Sequence, residues 1–368
     1  MNDPQSPGDV PMVVRVEAAP IVSPAVPTPR VQRPRPGLFD GFLLTIGFAV
    51  ALFGTMIGLV LAAVGWVWWR EGLDQVTPGT DTARGLSSLH QFVQTMLAVA
   101  IPTAYGMGLI YALVVARVMV GPRWAEEAGL GRLPLAHMLL GVLALPGFAI
   151  VSDTIGGWLF RLFQMEQLQD QSHDLADLFR PFHWSFAVLS IGIGPGVVEE
   201  LWCRGFLGRG FVGRYGWVGG VALTSLFFGA LHLYPPPYVL VTGLTGVGLH
   251  YTYAMSRSLW VPMVIHILNN SFATLVAIQL IPTTRMEQAM SDQPILTVSL
   301  ALALLGLAGL AMWTGRARFE TPPASPLSQQ GVMVPNGAEW AIREGRANPI
   351  LVIGTAVCSG AMLWLLFV

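Results

Sequence analysis

Nine stretches of about 20 apolar residues recur along this chain, and each is long enough to cross a hydrocarbon core as a helix. They fall at roughly 42–69, 92–119, 134–152, 184–206, 216–234, 237–256, 259–281, 295–314 and 350–368. The third can extend through GGWLFRLF. Backbone polar groups have no water to bond inside a bilayer, so a chain with this pattern folds as helices. Only 11% of the 368 residues are charged and 53% are hydrophobic, whereas soluble domains carry about a quarter charged residues. The expected fold is an all-α, polytopic transmembrane helix bundle: about eight core helices plus an appended C-terminal helix.

The remaining segments set the domain plan. Residues 1–37 are proline-rich and read as a disordered tail. They lack an apolar core after a short basic start, so they do not resemble a cleaved signal peptide. Residues 38–315 form the membrane domain, 316–349 a polar linker and 350–368 the last span. The loop QMEQLQDQSHDLADLFR reads as acidic and amphipathic. All 20 basic residues are arginine, which excludes a catalytic lysine. With the N-terminus cytoplasmic, 14 arginines lie in inside segments and five in outside loops. This bias predicts a multi-pass protein of the plasma (inner) membrane with its N-terminus inside. The net charge of −1 offers no footprint for nucleic acid. Two cysteines in apolar context make neither a disulfide framework nor a CxxC metal site.

Against this background the polar residues inside spans stand out, because an ionisable group at bilayer depth costs roughly 2.5–3.5 kcal/mol on insertion scales. In GPGVVEELWCRGF, Glu199 and Glu200 are adjacent and project about 100° apart on a helix. Glu200 and Arg204 are spaced i,i+4 and can pair on one face. Glu199 is then left without an intrahelical partner, and a carboxylate so placed can act as a general base. All three could equally snorkel at an interface. In SLFFGALHL, Phe228 and His232 share a face. In VIHILNNSF, His266 and Asn270 share a face and Asn269 does not. Such a His and amide can support an oxyanion or a metal, or simply bond neighbouring helices. His250 has nothing paired with it at helical spacing and reads as structural.

The ordered set EExxxR (Glu199, Glu200, Arg204), FxxxH (Phe228, His232) and HxxxN (His266, Asn270) resembles the CPBP family of intramembrane proteases. That family includes the type 2 CAAX prenyl endopeptidases and the bacterial Abi, or bacteriocin-immunity-like, proteins. The resemblance covers roughly 184–281. It implies an enzyme that hydrolyses a peptide bond of a membrane protein or lipidated peptide in or near the bilayer. By residue, it implies that Glu199 activates water with His232, that His266 and Asn270 support the oxyanion, and that Glu200 and Arg204 orient the site, with Phe228 supporting. Two mechanisms fit: Zn2+ held by His232, His266 and Glu199, or a metal-free glutamate mechanism. The zinc-protease HExxH, the rhomboid GxSG and the presenilin-type GxGD motifs are absent from the sequence. The competing readings are a non-enzymatic membrane immunity or scaffold protein, and a proton-coupled transporter using the same groups as a relay.

One tension follows from nine simple crossings. Glu199 and His266 fall toward the cytoplasmic ends of their spans, and His232 toward the outer end of 216–234. A single site then requires the glycine-rich GFLGRGFVGRYG (205–216) to be partly re-entrant.

Overall fold

The structure, a computed structural model, describes residues 36–71, 82–168, 178–233, 235–320, 341–343 and 345–368. The expected disordered tail therefore lies outside the described residues except for its last two positions. Most of the loop expected to be amphipathic and the middle of the polar linker lie outside them as well.

The described residues are helical apart from turns and one small hairpin, in which Arg318–Glu320 pairs antiparallel with Ala341–Arg343 inside the expected linker. Among the described residues, seven helices are long and apolar enough to cross a membrane: Leu38–Trp66, Gln94–Met119, Leu135–Leu162, Trp184–Ala230, Trp260–Ala277, Pro294–Thr314 and Pro349–Phe367. A further helix, Pro236–Ser256, packs among them. The bundle is thus that of an integral, multi-pass membrane protein. The third span does continue through GGWLFRLF, ending at Leu162.

The helix from Trp184 to Ala230 differs most from the nine-crossing plan. It runs on through the glycine-rich segment and reverses at one residue, Gly216, which has φ 75° and ψ 177°. That left-handed φ is open to glycine and strained for other residues. The two arms, 184–215 and 217–230, then lie side by side. A Cβ on Gly220 would strike Val212, and Arg204 lies against Phe228. Positions equidistant from Gly216 are therefore level: 212 with 220, 204 with 228 and, by continuation, 200 with 232. The depth conflict between Glu199 and His232 disappears. The spans do not cross from 206 to a loop and begin again at 216; the first arm extends about ten residues further, and the chain turns at its end.

Small residues bring the 260–277 helix against the first arm. A Cβ on Gly196 would lie 2.9 Å from the Ile267 backbone nitrogen, and one on Gly192 would lie 3.3 Å from the Ser271 Cα. Both pairs are spaced by four residues, the small-xxx-small geometry of close membrane-helix contacts. On another side the arm buries Trp202, whose ring stacks on Phe48 at 4.7 Å with planes 2° apart. Trp202, Phe206, Leu207, Phe211 and Phe228 form one core with Phe48 and Leu52. Two π-helical stretches, 188–193 and 201–208, flank the seven α-helical residues Gly194–Glu200 that carry the two glutamates. Such bulges are uncommon and often occur at functional sites.

Candidate active site

The first arm presents its carboxylates to two different neighbourhoods, as their 100° separation requires. Glu200 is fully buried and accepts from Arg204 Nη1 at 2.7 Å. Arg204 is fully buried too. Its Nη2 donates to the Gly246 carbonyl at 2.9 Å, on the 236–256 helix, and its guanidinium lies 4.6 Å from the centre of the Phe228 ring. One arginine thereby joins three elements. A buried charge needs this many partners, because an unpaired one is strongly unfavourable.

Glu200 Oε1 also takes the Nδ1 of His266 at 2.8 Å. A carboxylate held by a guanidinium can only accept, so Nδ1 carries the proton, and Nε2 of the neutral ring is an acceptor. That Nε2 faces Glu199 Oε2 across 4.0 Å. Phe228 meets the His266 ring edge-on at 5.8 Å and so closes another side of the imidazole.

Glu199 is 7% exposed. Its Oε1 accepts from the Tyr105 hydroxyl at 3.1 Å, from the helix Thr82–Met119. Its Oε2 is buried and has no hydrogen-bond donor among the described residues. A gap of 4.0 Å is too long for a direct bond, but two hydrogen bonds of about 2.8 Å meeting at about 90° span it. That separation is the one a single bridging water, donating to both Glu199 and His266, requires.

The other expected residues stand around this pair. His232 lies just past the second arm, where Nδ1 bonds the Phe228 carbonyl at 3.0 Å. Nδ1 must donate there, which leaves Nε2 as acceptor. The ring also meets Phe228 edge-on at 5.2 Å. Asn270 is one helical turn beyond His266, and its Nδ2 donates to the Ile191 carbonyl at 3.4 Å. The imidazole in contact with Glu199 is thus that of His266, while His232 and Asn270 occupy neighbouring positions. His250 lies outside the cluster: it is buried, edge-on to Trp217 at 5.6 Å and against Gly208. Tyr105 and the Gly246 carbonyl were not foreseen. Neither carries a local signal, since each meets the motif only through tertiary packing. A cavity of about 610 Å³ opens beside the cluster, with Asn269, Asn270 and Ile191 on its wall. Tyr238 and Asp153 also line it, and the rest is mainly apolar.

No group of three or more His, Cys, Asp or Glu side chains among the described residues is arranged to hold a metal ion. Glu199 and His266 could supply two ligands. His232, the third residue of the expected zinc set, gives its Nδ1 to the Phe228 carbonyl and keeps Nε2 available, but the three side chains do not converge on one point among the described residues.

Residues 181–272 match the family model of the Rce1-like type II CAAX prenyl endopeptidases. The segment is roughly a quarter of the chain and contains every motif residue named above. No curated protein and no solved structure matches the chain. The resemblance read from the three motifs is borne out over that segment: residues 181–272 are similar to the type II CAAX prenyl endopeptidases.

Proposed function

We propose that this chain is an intramembrane endopeptidase that hydrolyses a peptide bond of a membrane-associated protein or lipidated peptide by a CAAX-protease-like mechanism. The observation that carries the reading is Glu199 Oε2: buried, without a donor among the described residues, and one water's span from the His266 imidazole. A water donating to Glu199 Oε2 and His266 Nε2 has its oxygen lone pairs directed outward. Glu199 takes the proton as the oxygen attacks the scissile carbonyl carbon. The oxyanion forms beside Asn270, whose amide is a donor with only a long bond to give up. Glu199 then passes the proton to the leaving amine as the C–N bond breaks, yielding a carboxylic acid and an amine; the acid then gives its remaining proton to the amine or to solvent. His232 Nε2 offers a second acceptor for water or for a substrate N–H. Glu200 and Arg204 hold the His266 tautomer. The cavity beside Asn270 gives an extended chain an apolar approach.

A resident Zn2+ would polarise the carbonyl or acidify the water; every step above uses the chain's own groups. The arginine asymmetry supports an N-terminus on the cytoplasmic side of a plasma (inner) membrane. The test is cleavage of a panel of membrane-anchored and prenylated peptides by the purified protein in nanodiscs. New carboxyl and amino termini within one substrate, produced in proportion to enzyme, are expected. No product across the panel leaves the immunity, scaffold or transporter reading in its place.

A further inference from the structure

Glu199 has one hydrogen-bond donor among the described residues, and that donor lies outside the segment that matches the protease family. It is Tyr105, 94 residues earlier in the chain, at 3.1 Å from Oε1. We infer that Tyr105 is a positioning residue for the base, holding Oε1 so that Oε2 is the oxygen offered to water. This inference rests on the hydrolytic reading of the site.

Two contacts fix the approach. The Tyr105 ring lies against Gly194, where an added Cβ would sit 3.3 Å from the ring carbons. One turn along, a Cβ on Gly108 would sit 3.2 Å from the Val198 side chain. The 82–119 helix is therefore seated on the first arm at two successive turns, and the phenol reaches the carboxylate of the residue that follows Val198. Glutamate has three rotatable side-chain bonds and no other donor here. Without the phenol, both oxygens are free to swing, and the geometry with His266 is lost for much of the time. A base must be held within about 0.5 Å of its working position.

The test compares wild type with Tyr105→Phe in nanodiscs on any peptide the wild type cleaves. Tyr105→Phe keeps the ring on Gly194 and removes only the hydroxyl. A hydrogen bond to a charged group predicts that kcat falls about 10- to 100-fold. KM should stay within about twofold and the unfolding midpoint near wild type. Fluorinated tyrosines inserted at 105 keep the shape and change donor strength, so kcat should follow their acidity in order. A purely structural hydroxyl would leave that series flat. Unchanged kcat in Tyr105→Phe overturns the inference. If that variant does not fold, a flat fluorotyrosine series overturns it. Failure of the wild type to cleave anything overturns the hydrolytic reading and this inference with it; a normal wild type beside an unaffected variant overturns this inference alone.

Discussion

Replacing Arg204 by Met tests the network that organises the site. Arg204 and Glu200 are both fully buried, at 2.7 Å. Removing one partner of a buried ion pair costs about 3–5 kcal/mol, because the other charge is stranded. Arg204→Met also loses the bond to the Gly246 carbonyl, worth about 1 kcal/mol. His266 still contacts Glu200, which returns part of that loss. The expected destabilisation is about 3–4 kcal/mol. Glu200→Leu alone strands the guanidinium and should be similar. The double variant Glu200→Leu/Arg204→Met removes both charges; the His266 Nδ1 hydrogen loses its acceptor, at about 1–3 kcal/mol, and the Gly246 carbonyl loses the same bond as in Arg204→Met. It should therefore be more stable than either single variant, with a favourable coupling of at least about 2 kcal/mol. Reversible unfolding in mixed micelles, followed by tryptophan fluorescence, measures all four. Additive losses, or a single-variant loss under about 1 kcal/mol, would refute the claim that these charges meet in a dry interior.

Gly196→Leu should displace the 260–277 helix, because even a Cβ there reaches the Ile267 backbone; a loss of about 1–3 kcal/mol in unfolding stability, with falling activity, is expected. Chelator treatment should leave cleavage within about twofold, since no three donors among the described residues converge; activity lost to chelator and restored by Zn2+ alone would place a metal between Glu199 and His266.

The sequence made the Glu200–Arg204 pairing legible because it depends only on helical spacing, and the isolation of Glu199 from intrahelical partners followed from the same angle. The spans were legible through apolar length. What hydropathy misread was the chain from 205 to 216. Arginines at 209 and 214 and five glycines look like a loop, yet the segment is a continuation of the arm, with Arg209 paired to Glu127 outside the apolar region. Only Gly216, with its positive φ, makes the turn. The neighbour of Glu199 was also illegible. Spacing relates residues on one helix, whereas the 4.0 Å approach of His266 depends on Gly192 and Gly196 admitting another. Tyr105 is an ordinary residue in an apolar span until the packing of that span is known.

The two adjacent glutamates have different work: Glu199 faces the His266 ring across 4.0 Å and Glu200 pairs with Arg204. The most direct test is cleavage and unfolding measured together for Glu199→Gln and Glu200→Gln. Glu199→Gln should lose at least about 100-fold in kcat, as expected for a general base, and unfold like wild type. Glu200→Gln should lose stability first, because Arg204 and His266 both lean on its charge. Glu199→Gln cleaving as well as wild type would contradict the account, whatever the other variant does.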